Sequence, residues 1–274
     1  MTNRYRPGTR ALEVIMILAG VAFVSPLYIL VNVAVKGDGD MTNPLAPARR
    51  PSLDNFVEAW NGAHLGNALI NTTVIVVLSL ALLVVAASLA GYTIARRTSL
   101  WSRAAFVAFL LGLLLPFQLA TIPLYQLMQQ FGLLGTIWGL VLFYAATLMP
   151  FSVFLYASFI RALPIQFEEA AEVDGASPVR VFFSVVFPMM RAVTGTVVIL
   201  NTINIWNDFF TPRLYLSGSG TETVTVSLYS YVGQYGTQWN LIFGGLIIAS
   251  LPILAAFFVL QKHVIKGFAG GLKG

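Results

Sequence analysis

Six blocks of apolar residues, separated by polar stretches, run through this sequence and limit the folds that it can adopt. The first block extends from Ala11 to Val35. A helix needs about 20 apolar residues to cross the hydrocarbon core of a bilayer, so this block can span a membrane. It is too long for the core of a signal peptide and no small-residue cleavage site follows it, so we interpret it as an uncleaved first span. The remaining blocks predict five further spans, at about 68–95, 104–128, 136–160, 193–210 and 241–260.

The composition agrees with a membrane helix bundle. Hydrophobic residues make up 57% and charged residues 10% of the 274 residues, whereas soluble domains carry about 25% charged residues. Pro116, Pro123 and Pro150 lie inside the third and fourth predicted spans, where neighbouring helices must satisfy the freed backbone groups. We therefore predict a single all-α domain over residues 1–274, a polytopic membrane helix bundle with six transmembrane helices.

Two of the polar connections carry weaker patterns. The connection 36–66 ends in a stretch that predicts a short amphipathic helix on the outer membrane surface. Ser52 is the expected cap of this helix, and its apolar face consists of Leu53, Phe56, Val57 and Trp60. In the connection 213–239, Thr and Val alternate from Thr221 to Val226, which indicates a short strand.

The distribution of basic residues predicts the orientation in the membrane. Six spans place both termini on one side, and 12 of the 16 Lys and Arg residues share that side. By the positive-inside rule, the termini and the polar loop 161–190 are expected to be cytoplasmic. The Lys and Arg residues lie between spans and not on a soluble face, so the membrane topology accounts for their positions. No nucleic-acid partner is therefore predicted. The four basic residues on the outer side are Lys36, Arg49, Arg50 and Arg213.

The sequence lacks the common signatures of catalysis. It has no G-x-x-x-x-G-K-[ST] stretch for ATP and no G-x-S-x-G nucleophile elbow. His64 and His263 are predicted on opposite sides of the membrane, and there is no cysteine. We therefore predict that this chain is not an enzyme and that it binds no metal or cofactor itself.

Several polar side chains fall at membrane depth, where they are costly unless they face a cavity or a partner helix. Asn201, Asn204 and Asn207 are spaced three residues apart in the fifth predicted span, and Tyr144 and Thr147 lie in the fourth. Amides and hydroxyls can pair with sugar hydroxyls, and aromatic rings can stack on sugar faces, so these five residues are candidates for a solute path. Alternatively, they hold the bundle together through interhelical hydrogen bonds. Both interpretations are open at this point.

The long polar loop between the fourth and fifth spans predicts a helix, a tight turn and a second helix. Pro164 can occupy the first turn of the first helix, and Gly175 can end that helix in the left-handed conformation. Ser177 offers an N-cap oxygen for the second helix and Pro178 an N1 residue. Pro188 is expected to end the second helix.

The spacing within this loop resembles a known motif. Glu169-Ala170-Ala171, three residues, Gly175, nine residues and then Val185-x-Phe187-Pro188 resemble the EAA motif of binding-protein-dependent ABC importer permeases, E-A-A-x3-G-x9-I-x-L-P. Val185 and Phe187 depart from that form conservatively. Two further stretches, Trp206-Asn207-Asp208 and the ending Gly270–Gly274, look like the carbohydrate-uptake type of permease, in the branch that includes the smaller maltose permease subunit.

The resemblance implies an ABC type I importer permease fold whose cytoplasmic coupling helix sits in a cleft of an ATPase. The implied partners are a second permease subunit, two cytoplasmic ABC ATPase subunits that carry ATP and Mg, an extracytoplasmic solute-binding protein, a sugar and membrane lipid. The implied location is the cytoplasmic membrane of a bacterium or archaeon. The resemblance also implies ATPase-coupling roles for Glu169, Ala170, Ala171, Asp174, Gly175, Ser177, Pro178 and Pro188.

Three other functions stay open. A permease of the same design can carry a non-sugar solute, such as a glycerophosphodiester or an amino acid. A secondary transporter is disfavoured, because the sequence shows no evident internal repeat with paired broken helices and few charges within its spans. A membrane-embedded enzyme is disfavoured by the missing catalytic signatures.

Overall fold

The computed structural model describes residues 7–114, 116–233 and 236–271, and within these ranges the chain is helical and contains no β-strand. This confirms the all-α fold class. The helices are α1 (Pro7–Ala34), α2 (Asp54–Gly62), α3 (Leu65–Arg96), α4 (Leu100–Leu114), α5 (Thr121–Gln130), α6 (Ile137–Thr147), α7 (Met149–Ala162), α8 (Gln166–Val173), α9 (Pro178–Val181), α10 (Phe187–Met189), α11 (Arg191–Asn207), α12 (Phe210–Tyr215), α13 (Val224–Leu228) and α14 (Trp239–Gly271).

Among the described residues, three helices are long and apolar enough to cross a membrane without a break. The qualifying segments of α1, α3 and α14 have mean hydropathies of 2.5, 2.8 and 2.5. They correspond to the first, second and sixth predicted spans. Helix α14 does not stop at the end of the predicted sixth span but continues to Gly271. The ending Leu272–Gly274, part of the family resemblance, lies outside the described residues.

The other three predicted spans are bent pairs of helices, so the described chain has three to six spans depending on whether each pair counts as one. The axes of α4 and α5 differ by 92°, with Pro116 at the bend. The axes of α6 and α7 differ by 45° at Leu148, and that of the stretch Pro178–Met189 differs from that of α11 by 72°. Of the two prolines inside the predicted third span, only Pro116 lies at the bend. Pro123 lies in the first turn of α5, where its missing N–H would have no intrahelical partner.

The expected strand at Thr221–Val226 is wrong, because Val224–Leu228 forms the short helix α13. Contacts remote in sequence hold this segment. The Val224 N–H donates to Thr72 Oγ1 at 3.0 Å, and Thr225 Oγ1 donates to the Asp208 carbonyl at 2.7 Å. The described residues contain no strand beside this segment, so the alternating Thr and Val residues have no partner for β-sheet hydrogen bonds.

The described residues group into two compact units, and the first comprises the chain up to Gly66 together with Ser227–Leu251. Its short helix α2 was predicted correctly, but Asp54 begins it, one residue later than a Ser52 cap would require. The buried side chains of α2 are Asn55 and Ala59. The Asn55 amide donates to the carbonyls of Ala34 and Lys36 at 2.8 Å each. Val57 and Trp60 of α2 are 60% and 44% exposed, and Leu53 directly before the helix is 69% exposed, as expected of a helix lying on a membrane.

The second unit comprises Asn67–Val226 and the residues from Pro252 onward. Its core contains side chains of α3, α7 and α11 that are inaccessible to solvent, among them Leu83, Tyr156 and Val197. Gly91 lets α3 approach α7 closely, because a Cβ at this position would lie 2.7 Å from the Tyr156 Cβ. Small residues of this kind permit close helix packing where no water drives association.

Candidate functional site

The first candidate site is the loop between α7 and α11, in which α8 ends in a complete Schellman motif. Gly175 has φ +83°. Its N–H donates to the Glu172 carbonyl at 2.9 Å, and the Ala176 N–H donates to the Ala171 carbonyl at 3.0 Å. These are the two hydrogen bonds that define this helix ending. The predicted left-handed turn is therefore present.

Helix α9 begins immediately after this turn. Ser177 has extended backbone angles, and its Oγ accepts a hydrogen bond from the Arg180 N–H at 3.4 Å, with Pro178 at N1. The predicted cap is therefore present. The first helix begins two residues later than its predicted proline, because Ile165 is the N-cap of α8 and Pro164 precedes it.

Pro188 does not end the second helix, contrary to the prediction. The stretch Pro178–Met189 is continuously helical, and a π-turn over Phe182–Val186 separates α9 from α10. Pro188 lies two residues after the end of this turn, in the first turn of α10. Its ring would clash with a carbonyl four residues back in a regular α-helix, whereas the wider π-turn leaves room for the ring. The stretch ends at Met190, whose N–H donates to Val186 and Phe187.

The residues predicted to couple to an ATPase lie on or next to the surface of the described chain. Six of them are exposed, namely Glu169, Ala170, Asp174, Gly175, Ser177 and Pro178, while Ala171 and Pro188 are half-buried. Apolar side chains on the same loop are also exposed. Phe167 is 52%, Val173 88% and Val179 67% accessible. Large apolar groups on an otherwise polar helical loop mark an interaction surface.

Sequence reasoning missed the one buried acid of this loop, Glu168, which is 7% exposed. Its Oε1 lies 2.7 Å from an Arg96 Nη and 2.8 Å from Arg96 Nε, and its Oε2 accepts a hydrogen bond from the Tyr92 hydroxyl at 2.8 Å. Arg96 also donates to the Leu163 carbonyl at 3.1 Å. The sequence offered only a weak signal for this cluster, namely that Arg96 and Glu168 were both expected on the cytoplasmic side.

The second candidate site is a cavity of about 880 Å³ in the second unit. Four of the five predicted path residues, Tyr144, Thr147, Asn204 and Asn207, line it. The lining is mixed, with amides, hydroxyls, one carboxylate and aromatic rings, and no Lys, Arg or His is among the described lining residues. The other lining residues are Gln118, Phe143, Leu148, Phe151, Leu200, Ile203, Ile205, Asp208, Phe210 and Thr211.

The carboxylate of this cavity belongs to Asp208, directly after α11. Its Oδ2 accepts a hydrogen bond from the Tyr144 hydroxyl at 3.0 Å, and its Oδ1 accepts one from the Thr211 N–H at 3.2 Å. Asp208 is half-buried. These bonds fix the carboxylate and the phenol against each other, and free lone pairs on the carboxylate can still accept from a ligand.

Asn201 does not line the cavity, so that of the three asparagines spaced three residues apart only Asn204 and Asn207 face it. Asn201 is 1% exposed, and its amide donates to the Val197 carbonyl at 2.8 Å and to Ser152 Oγ of α7 at 3.3 Å. An α-helix turns by about 100° per residue, so positions three apart drift by about 60° at each step. Over two steps, that drift separates Asn201 from Asn207 by about a third of the circumference.

The fold and the two sites together define a multi-pass membrane protein of the permease class, in which apolar helices accompany a cavity of mixed lining and a surface helix–turn–helix. The chain belongs to the family of binding-protein-dependent transport system inner membrane components, whose model matches residues 83–269.

Relatives agree with this family, and a solved structure shares the fold. The chain is 33% identical over 267 residues to the melibiose/raffinose/stachyose import permease protein MelC of Bacillus subtilis, covering 96% of this chain and 97% of that protein. It is 32% identical over 265 residues to the multiple sugar-binding transport system permease protein MsmG of Streptococcus mutans, covering 94% of each. A crystal structure of a bacterial ABC transporter that imports the acidic polysaccharide alginate superposes with a TM-score of 0.82 at 16% identity, over 95% of this chain and 99% of the other.

Proposed function

We propose that this chain is a permease subunit of an ATP-driven importer that moves an uncharged oligosaccharide across the membrane. The cavity of the second unit carries this proposal. Its amides, hydroxyls and carboxylate can hydrogen-bond sugar hydroxyls, and Phe151 and Phe210 offer rings on which sugar faces can stack. The relative named for melibiose, raffinose and stachyose, which are uncharged sugars, supports the same substrate class.

The charge of the cavity supports an uncharged cargo. Asp208 contributes a carboxylate, and none of the described lining residues is basic. A second carboxylate, as in a uronic acid, would meet like charge in this cavity, which is unfavourable. The acidic cargo of the structural relative is therefore not the cargo that we propose for this chain.

We propose that the loop between α7 and α11 docks on a cytoplasmic ATPase subunit, with ATP and Mg bound by the ATPase pair. The exposed apolar residues Phe167, Val173 and Val179 would supply the buried contacts, and Gly175 the sharp turn between the docking helices. A second permease subunit and an extracytoplasmic binding protein complete the assembly. The basic residues favour cytoplasmic termini in a bacterial or archaeal plasma membrane.

The test is uptake in cells that express or lack this chain. Deleting it should abolish accumulation of at least one radiolabelled neutral oligosaccharide from a panel of raffinose, maltotriose and diacetylchitobiose, and a plasmid copy should restore it. Val173→Asp should insert normally but purify with less ATPase. A matched control is Ser217→Asp, also exposed but outside the loop. Unchanged uptake of every neutral sugar, with loss of a uronate or peptide instead, would refute the proposed cargo.

A further inference from the structure

The buried cluster of Glu168, Arg96 and Tyr92 joins the surface loop to α3. Glu168 lies in α8, while Tyr92 and Arg96 occupy the last turn of α3, 72 to 76 positions away in sequence. Both carboxylate oxygens of Glu168 are engaged, Oε1 by Arg96 and Oε2 by Tyr92. The guanidinium also holds the Leu163 carbonyl, at the junction between α7 and α8.

This cluster differs from an exposed ion pair. The side chains of Arg96 and Glu168 are 16% and 9% exposed, whereas those of the other described pair, Arg49 and Asp40, are 91% and 22% exposed at 3.9 Å. Exposed pairs contribute little because water screens them and their side chains stay mobile. A buried, multiply hydrogen-bonded pair has short charge-assisted bonds and one geometry, and breaking it leaves an uncompensated charge.

The same end of α3 also contacts the second helix of the loop. The Tyr92 ring packs against the Phe182 ring with centroids 5.2 Å apart. Phe182 is 3% exposed and is the first residue of the π-turn. One position before Tyr92, Gly91 brings α3 against Tyr156 of α7. Both helices of the loop are thus bound to one turn of α3, and that turn is packed into the core.

We propose that Glu168, Arg96 and Tyr92 are positioning residues that make α3 the element through which movement of the coupling loop enters the helix bundle. This rests on the proposed function, because it takes the loop as the place where the ATPase acts. The exposed residues of α8 touch the partner, while Glu168 on the buried face transfers the displacement to α3. A loop without this cluster would still dock but would move independently of the bundle.

The test measures the accessibility of the cavity in different nucleotide states of the ATPase. It does not require the transported sugar to be known. The chain has no native cysteine, so Asn204→Cys places one thiol in the cavity lining. In the purified complex with the ATPase and the second permease, its alkylation rate is measured without nucleotide and after trapping with ATP and vanadate. We expect trapping to change this rate by about fivefold or more, the usual size of coupling between two sites.

Three variants in this background test the cluster. Glu168→Gln and Arg96→Leu should reduce the trapping effect to less than about twofold, although the ATPase still copurifies. Tyr92→Phe, which keeps the ring on Phe182 but loses one hydrogen bond, should give an intermediate effect. The charge swap Glu168→Arg with Arg96→Glu should recover part of the response, and the control Glu172→Gln, exposed on the same helix, should respond like the parent.

The outcomes separate the inference from the proposed function. If no ATPase binds the parent chain, or if trapping leaves the parent alkylation rate unchanged, the proposed coupling fails and the inference fails with it. If trapping changes the alkylation rate of the parent, and changes that of Glu168→Gln and of Tyr92→Phe by the same factor as in the parent, the inference alone is overturned. If Glu168→Gln fails to assemble, Tyr92→Phe and the charge swap decide, and a full response in Tyr92→Phe without recovery in the swap overturns the inference.

Discussion

Gly175 adopts a backbone conformation that most residues avoid. At φ +83° it closes the Schellman ending of α8, and no side chain lies within 4 Å of where a Cβ would be. A substitution there is therefore judged by backbone strain alone. Val, being β-branched, is disfavoured in this region, while Asn visits it more readily.

We expect Gly175→Val to displace α9 from α8 at a cost of about 1–2 kcal/mol. Transport should fall strongly while the chain still inserts, because the strain lies in the loop and not in a span. Gly175→Asn is the control and should keep most of the activity. Uptake, membrane content and copurified ATPase are measured for both. Normal sugar-stimulated ATP hydrolysis with Gly175→Val would contradict a coupling role for this turn.

Asn201 and Asn204 are the same residue type on one helix but have different surroundings, so substitutions at the two positions can be compared. Asn201 is buried against Ser152, whereas Asn204 lines the cavity. Replacing a buried, hydrogen-bonded amide costs about 1–3 kcal/mol because its partners are left unsatisfied. Asn201→Ala should therefore lower the thermal stability of the purified chain and leave the sugar preference unchanged.

Asn204→Ala should do the reverse, changing the half-saturating sugar concentration or the sugar preference with little loss of stability. Thermal unfolding and uptake kinetics are measured on both variants. If Asn204→Ala lowers stability and leaves the kinetics unchanged, the asparagine is a packing residue and the cavity assignment loses one of its supports.

At the scale of elements, α3 and α7 approach more closely than ordinary side chains allow. A Cβ on Gly91 would lie 2.7 Å from the Tyr156 Cβ and 3.1 Å from the Ala157 backbone nitrogen. Neither contact involves the end of a flexible side chain, so the backbone itself must shift to admit a methyl group. This approach places the last turn of α3 against both the core and the coupling loop.

We expect Gly91→Ala to destabilise the chain by about 1–3 kcal/mol, the usual effect of overpacking a well-packed core. The control is Gly20→Ala in α1, where a Cβ has no neighbour within 4 Å and where Ala favours the helix. Detergent-solubilised samples are compared by thermal unfolding. Equal midpoints for Gly91→Ala and the parent would show that α3 and α7 do not pack this tightly.

At the scale of the whole molecule, orientation follows from the side on which each polar segment lies. Thr98, in the connection between α3 and α4, and Ser217, after α12, are both exposed. The proposed topology puts Thr98 inside the cell and Ser217 outside. Ser217 suits a cysteine better than the neighbouring Gly220, whose φ of +72° disfavours a side chain.

A cysteine introduced at Ser217 should react with a membrane-impermeant thiol reagent added to intact cells, while one at Thr98 should react only after the membrane is opened. Each variant serves as the other's control, because the chain contains no native cysteine. The opposite labelling pattern would invert the topology and would place the coupling loop on the wrong side for a cytoplasmic ATPase.

The sequence by itself determined the features that depend on local chemistry. Apolar runs long enough to cross a bilayer predicted the long helices α1, α3 and α14, because burial in lipid depends on length and composition. Gly175 and Ser177 predicted the turn and the cap, since both depend on groups within five residues. The single domain over 1–274 and the exact limits of the spans stay predictions.

Only the tertiary structure decided what depends on partners remote in sequence. The pairing of Glu168 with Arg96 spans 72 positions, and the bond from Val224 to Thr72 that holds a helix in place of the expected strand spans 152. The burial of Asn201 depends on which helix packs beside it. No periodicity within one segment contains this information, because the free energy of these contacts comes from surfaces that meet only when the bundle has formed.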